Sequence, residues 1–326
     1  MYKAKLDIIE TERAIKRVKD YFERNLAKKL DLTRVSAPLF VTPQSGLNDD
    51  LNGIERAVSF DTKCKQDAVI VHSLAKWKRM ALHKYGFEYG KGLYTDMNAI
   101  RRDEDLSPIH SYYVDQWDWE KVLRKEERTT ETLKEIVEKI FSSLKDTEVY
   151  IRDIYPQLSE KLPEKITFVT SQELEELYPD LTSKEREHAH ARKHGAIFIS
   201  EIGKVLSSGE KHDGRAPDYD DWDLNGDIIV YYEPLDIGLE LSSMGIRVSE
   251  ESLEKQLKIA NAEDRKTLEF HKKLLAGELP YTIGGGIGQS RLCLFFLDKL
   301  HIGEVQASLW PKEILEECKE KNIPLL

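Results

Sequence analysis

Three groups of residues in this chain have the types and spacing to act on an anionic substrate. The run Gly284-Gly285-Gly286-Ile287-Gly288-Gln289-Ser290-Arg291 follows Pro280 and leads straight into the apolar stretch from Leu292 to Leu297. Glycines let a backbone approach a ligand closely. A helix N-terminus behind them offers unpaired N–H groups and a positive dipole end, so with Arg291 in its first turn the run can hold a polyphosphate; it reads equally as a tight, closely packed turn. Arg101 and Arg102 precede Asp103, Glu104 and Asp105, either a phosphate-facing pair or a solvated charged turn. Glu240 stands between Leu239 and Leu241 in an apolar strand candidate. Alternation puts Glu240, Ser242 and Met244 on one face with Arg247 beyond them, the pattern of a lined cleft. His190 and His194, one helical turn apart, lack a third ligand nearby and read as a solvated helix face. No G-x-x-x-x-G-K-[ST] loop occurs, and Gln289 stands where a G-x-G-x-x-G pattern needs its last glycine, which argues against a P-loop or dinucleotide-binding enzyme.

The elements that must position these residues follow from periodicity. Ile8, Ile9, Ile15, Val18, Phe22, Leu26 and Leu30 recur at three- and four-residue steps, predicting an amphipathic helix from Ile8 to Leu30. Leu32 to Phe40 is β-prone but carries Pro38, as an edge or interface strand does. Further strands are expected at Ala68 to His72, Gly92 to Arg101, Ile109 to Trp117, Ile166 to Thr170, Ala196 to Ile202, Asp227 to Tyr232 and Gly238 to Val248. Helices are expected at Leu74 to His83, Thr129 to Asp153, Ser171 to Tyr178, Ser183 to His194, Ser249 to Ala276 with a break near Asn261, and Gln289 to Leu300. Strands and helices cluster instead of alternating, which predicts an α+β fold around an antiparallel sheet. The polar segment from Ser207 to Asn225 reads as one functional loop, and with no repeat or long linker, residues 1–326 are expected to form a single domain.

Composition limits the partners. In 326 residues, 40% are hydrophobic and five are Trp, enough for a substantial core. No stretch resembles a membrane span or a secretion signal, so a cytoplasmic protein is expected. The net charge of −10 gives nucleic acid no general attraction, although a local basic pocket could still hold a few phosphates. Three well-separated cysteines, Cys64, Cys293 and Cys318, fit neither a disulfide framework nor a zinc site and are expected to be reduced and buried.

The glycine run, with its G-x-G-x-G-x-x-R spacing, resembles the third signature motif of class II aminoacyl-tRNA synthetases, whose arginine meets the γ-phosphate of ATP. The first helix with the Pro38 strand resembles their first motif, at the dimer interface. Arg101 with its acidic loop and return strand resembles their second. The segment His72-Ser73-Leu74-Ala75-Lys76-Trp77-Lys78 is similar to the aspartate-binding segment of aspartyl-tRNA synthetases. HSLAKWKR from His72, GLYTDMNAIR from Gly92, VDQWDWE from Val114, RAPDYDDW from Arg215, LNGDI from Leu224, ELSSMGIRV from Glu240 and TIGGGIGQSRL from Thr282 together resemble one family, the ammonia-dependent asparagine synthetases or aspartate–ammonia ligases. The resemblance implies a class II synthetase-like antiparallel sheet flanked by helices. It also implies a homodimer through the first helix and the Pro38 strand, with ATP, L-aspartate and ammonia as substrates and Mg2+ as the metal.

Carried over residue by residue, the resemblance implies that Arg101, with Arg102 as the alternative, neutralises the α-phosphate and Arg291 the γ-phosphate. His110, Ser111, Val114 and Ser242 would line the nucleotide site, and Asp227 and Glu240 would hold magnesium. Ser73, Lys78, Gln116, Ser243 and Arg247 would bind the amino acid, with Lys78 and Arg247 on its α-carboxylate. Asp49 and Asp220 would recognise the amines, the order between them left open; each reads equally well as turn chemistry in a polar loop. A glutamine-dependent enzyme would need Cys after the initiator Met, and position 2 is Tyr. A tRNA ligase would need an anticodon-binding module, and none is expected between or beside these motifs. A silent regulatory relative would be expected to have lost the arginines and acids that are present.

Overall fold

The computed structural model describes residues 2–49 and 55–326. The chain runs α1 (Ile8–Leu30), β1 (Leu32–Arg34), β2 (Phe40–Val41), β3 (Ser59–Asp61), β4 (Asp67–Ile70), α2 (Ala75–Tyr85), β5 (Gly92–Ile100), β6 (Tyr113–Leu123), α3 (Thr130–Ile154), β7 (Thr167–Thr170), α4 (Ser171–Leu177), α5 (Ser183–His194), β8 (Ala196–Ser200), β9 (Asp220–Tyr232), β10 (Ile237–Arg247), α6 (Glu250–Ile259), α7 (Glu269–Leu275), β11 (Tyr281–Gly288), α8 (Gln289–Phe296) and α9 (Lys312–Glu320). Eight strands form one sheet in the order β1-β5-β6-β11-β10-β9-β8-β7, parallel only at its two edge pairs. A small antiparallel sheet, β2-β4-β3, lies beside it. The expected α+β class with a largely antiparallel sheet is what forms.

One face of the large sheet carries the main core. α1 starts where the Asp7 carboxylate accepts the Glu10 amide at 2.8 Å and ends at Asp31 in the left-handed region. Its stripe Ala14, Val18, Phe22, Leu26 and Leu30 is buried, with Trp117, Trp119, Ile228, Val230, Met244, Ile283 and Ile287 in the same core. α3 lies beside α1, with Tyr21 stacked on Tyr150 at 4.1 Å. The opposite face is packed only in part: α2 lies over β5 and one end of β6, with Leu74, Ala81 and Leu82 buried there, and α4 and α5 lie over β8 and one end of β9 and β10. Between them that face is left to polar side chains.

Several expected elements differ. The glycine run is not a loop but the central strand β11, paired to β6 and β10 along its length. The expected strand from Leu32 to Phe40 is split: residues 32–34 form β1, Phe40 opens β2, and Pro38 itself lies between the two. β6 begins at Tyr113, because residues 109–112 turn back through Ser107 and His110, whose backbones bond each other. The polar loop ends at Tyr219, as β9 starts at Asp220. The break near Asn261 is present, with Asn261 at φ 54 between α6 and a short 3-10 turn. Cys64 is exposed and only the other two thiols are buried.

Candidate active site

Register explains how charged groups gather on the open face. Trp117 and Trp119 of β6 point into the core, so Gln116, Asp118 and Glu120 point the other way. On β11, Ile283 and Ile287 are core residues, so Gly284, Gly286 and Gly288 lie under the open face. Pairing places Asp118 opposite Gly286, Gly286 opposite Ser243 and Ser243 opposite Asp227, a single row across four strands. Plain alternation would separate Glu240 from Arg247, seven residues on. A bulge at Leu241, between Glu240 and Ser242, shifts the parity, so Leu239 and Leu241 on one side and Met244 and Ile246 beyond it all face the core. Glu240, Ser243 and Arg247 then share the cleft face. The expected set of Glu240, Ser242 and Met244 on one face is therefore corrected: Met244 is core, and Ser243 is the serine that hydrogen-bonds Asp227.

The glycines clear this floor. A Cβ on Gly284 would stand 2.2 Å from Glu120 Oε2 and 2.6 Å from Arg247 Nη2, and one on Gly286 would stand 2.6 Å from Gln116 Oε1. Above them, Arg247 is fully ringed. Its Nε and Nη2 donate to Glu120 at 3.1 and 2.8 Å, and Nη1 donates to Asp220. Lys78, completely buried on α2, donates to Asp118 at 2.6 Å and to the Gly285 carbonyl at 2.9 Å. Burial pulls the Lys78 ammonium down, against the pull of Asp118. Burial likewise pushes the Asp220 carboxyl up, although Arg247 opposes it. Arg79, one position on, ties α2 to the sheet by donating to the carbonyls of Pro280 and Val248.

Next to this charged patch a cavity of about 280 Å³ is lined by Arg101, His110, Ser111, Val114, Gln116, Glu240, Gly286 and Arg291, together with Lys184 from α5. Arg101 faces Glu104 at 3.8 Å, and its Nε has no hydrogen-bond partner among the described residues. Arg291 donates to the Glu240 carbonyl at 3.1 Å and lies 3.9 Å from its carboxylate. Arg102 is exposed and does not line the cavity. Burial, with Arg291 and Arg101 nearby, pushes the His110 imidazole down to about 4, so it is neutral at pH 7. Ser111 bonds Ser308 at 2.7 Å. Ser242 is buried at the bulge, and its hydroxyl has no partner among the described residues.

Asp227 and Glu240 stand where the two regions meet. Burial and the nearby Glu240 push the Asp227 carboxyl up to about 6, against the Arg215 guanidinium that contacts both its oxygens. Burial acts upward on Glu240 too, but Arg291, Arg215 and Lys184 outweigh it and hold its carboxyl low. Among the described residues no cluster of three metal-ligating side chains occurs. Two oxygen donors close enough to feel each other's charge, beside a cavity that can take phosphates, nevertheless fit Mg2+, which keeps water and phosphate ligands in its other positions. Asp49 is buried, and its carbonyl lies 3.0 Å from His72 Nδ1. Asp49 and Asp220 both act on the Tyr219 hydroxyl, which burial already raises well above its usual range.

Residues 9–322 match the family described as aspartate-ammonia ligase. The chain is 68% identical over its whole length to an aspartate–ammonia ligase of Fusobacterium nucleatum, covering 99% of it. It is 66% identical to one from Clostridium perfringens, covering 97%. The chain belongs to the aspartate–ammonia ligase family. Its fold is that of class II aminoacyl-tRNA synthetases. Asparaginyl-tRNA synthetase from Pyrococcus horikoshii, solved with asparaginyl-adenylate, superposes with a TM-score of 0.67 at 15% identity, covering 93% of this chain and 70% of that one.

Within this ligase chain the expected residues lie together: Arg101, His110, Ser111, Val114, Gln116, Glu240 and Arg291 on one cavity, and Lys78, Arg247 and Asp220 in one buried patch beside it. Ser73 is half-buried at the start of α2, where its hydroxyl accepts the Ala75 amide at 3.1 Å. Sequence reasoning assigned no role to Asp118, Glu120, Lys184, Arg215 or Tyr219. For Asp118 and Glu120 the signal was present, since D-x-E interleaves with the core tryptophans of VDQWDWE.

Proposed function

We propose that this chain makes L-asparagine from L-aspartate, ammonia and ATP through a β-aspartyl adenylate. The reading rests on one observation: a cavity carrying Arg101, Arg291 and neutral His110 adjoins, on the same sheet face, a buried patch holding Lys78 and Arg247. The cavity suits a nucleotide. The patch suits a small zwitterion carrying a second carboxylate.

In this scheme the β-carboxylate of aspartate attacks the α-phosphorus of ATP, forming a P–O bond as pyrophosphate leaves. Arg101 and Arg291 neutralise the phosphate oxygens, and positioning does most of the work. Lys78 and Arg247 hold the α-carboxylate through charge-assisted bonds worth roughly 1.5–3 kcal/mol each. Ammonium gives a proton to a buried carboxylate, Asp220 or Asp49. The freed ammonia then attacks the β-carbonyl, and AMP leaves. Asp227 and Glu240 would hold Mg2+, which supplies charge neutralisation on the phosphates.

The chain is further read as a homodimer in the cytoplasm. No helix among the described residues is long and apolar enough to cross a membrane. The apolar stripe of α1 from Ala14 to Leu30 is used in its own core, leaving the exposed Ile8 and Ile9 at its start and the exposed Leu39 and Phe40 beside Pro38 as the apolar part of that interface. Nucleic acid is not expected as a partner.

The deciding assay follows AMP and asparagine formation from aspartate and ATP, with ammonium compared against glutamine. The reading expects stoichiometric AMP and asparagine with ammonium alone. Equal rates with glutamine would overturn the donor, and absence of AMP would overturn the adenylate.

A further inference from the structure

Arg215 lies in the connection between β8 and β9, and its Nη2 contacts both oxygens of the Asp227 carboxylate. The same guanidinium, after Arg291, also helps hold the Glu240 carboxyl low, so its charge is felt by both acids read as metal ligands. Its attachment is one-sided. Apart from Asp227, its hydrogen bonds among the described residues amount to a 3.4 Å contact with the Gly214 carbonyl, and its Nε has none. Behind it lies a second cavity of about 740 Å³, whose lining includes Asn48, Gly214, Arg215, Asp218 and Trp222. The side chain therefore has space to withdraw. Its segment belongs to no helix or strand and contains Gly203, Gly209 and Gly214.

A guanidinium nitrogen on both oxygens occupies the side of Asp227 that faces Arg215, and a divalent cation brought to the same carboxylate would meet a fixed like charge. We propose that Arg215 is a resident counter-cation for Asp227 and Glu240, which must be displaced for the metal to bind, so that the free enzyme takes up metal weakly and the nucleotide-bound enzyme takes it up well. The device would keep the buried Asp227 and the partly exposed Glu240 from repelling each other before substrates arrive and tie metal uptake to the arrival of phosphates. The proposal rests on the assignment of Asp227 and Glu240 as metal ligands, and its test separates the two ideas.

The probe is Mn2+, with the free ion counted by its solution EPR signal in the absence of nucleotide and again with a non-hydrolysable ATP analogue. Arg215→Met should bind Mn2+ without nucleotide about ten- to a hundredfold more tightly than wild type, the factor expected on removing a charge-assisted competitor. Adding Asp227→Asn should abolish that gain. Arg215→Lys, whose ammonium cannot match the planar fork, should fall between, and it carries the test should the methionine variant not fold. If both Arg215 variants bind Mn2+ as wild type does, while Asp227→Asn weakens Mn2+ binding with nucleotide present, the counter-cation is refuted and the metal assignment stands. If Asp227→Asn leaves Mn2+ binding with nucleotide unchanged, both fall.

Discussion

Gly284→Ala asks what the glycine run is for. The added methyl would sit 2.2 Å from Glu120 Oε2, 2.6 Å from Arg247 Nη2 and 2.7 Å from the Trp119 carbonyl. The first two atoms are locked in a buried ion pair and the third is backbone, so no flexible side chain can yield. Overpacking of this kind costs about 1–3 kcal/mol, and pushing the guanidinium off its carboxylate adds to it. A total near 3 kcal/mol is expected. With an unfolding entropy of about 2.1 cal/mol/K per residue, 326 residues give roughly 0.7 kcal/mol/K, and the melting temperature should fall by ~4 °C. Gly284 does not line the nucleotide cavity, whereas Gly286 and Gly288 do. Steady-state kinetics should therefore show KM for aspartate raised about ten- to a hundredfold as Arg247 moves, with KM for ATP nearly unchanged. If the glycines instead served close approach of phosphates, the ATP term would rise and the aspartate term would not. That outcome, with a melting temperature unmoved, would refute the reasoning.

Arg101→Ala should cut pyrophosphate exchange by a factor of about a hundred or more, whereas Arg102→Ala, an exposed position, should stay near wild type. The His110 imidazole, with a folded value of about 4 against 6.5 when unfolded, should titrate by NMR far below an ordinary histidine. The folded state binds this proton less readily. Its contribution to stability, at most about 3 kcal/mol, is therefore fully present above pH 6.5 and is lost as pH falls toward 4, and His110→Gln should flatten that slope in urea melts. Asp220→Asn should lower kcat by about a hundredfold or more at saturating aspartate if Asp220 takes the ammonium proton, and Asp49→Asn should instead raise the ammonium requirement; the reverse pattern would exchange the two roles.

The sheet class, the first helix and both arginine motifs were legible because each depends on local period or on a spacing that one element carries. α1 runs from Ile8 to Leu30 as its apolar stripe predicts. What could not be read was pairing. The glycine run looks like a phosphate loop until β6 and β10 are seen on either side of it, when its glycines become space for Glu120, Arg247 and Gln116. Glu240 and Arg247 share a face only because of a bulge, and nothing in ELSSMGIRV announces one. Arg215 was inside a quoted string and still had no role, because its partner Asp227 lies across a connecting segment whose path periodicity does not constrain.

The charged side chains of the cleft are paired with one another. Asp118 holds Lys78, Asp220 and Glu120 hold Arg247, and Arg215 holds Asp227. These pairs are buried, where a lone charge would be costly, so each charge needs its counter-ion. Glu120, bound also by the Thr282 hydroxyl at 2.7 Å, is the fixed member of its pair. Asp220 is the exchangeable one, because it meets Arg247 only through Nη1 while burial already pushes its carboxyl up. A substrate carboxylate that takes Nη1 would strip Asp220 of its counter-charge and raise its proton affinity further. The step that seats aspartate would then also prepare a carboxylate to deprotonate ammonium, which couples amine activation to the presence of the acid it will join.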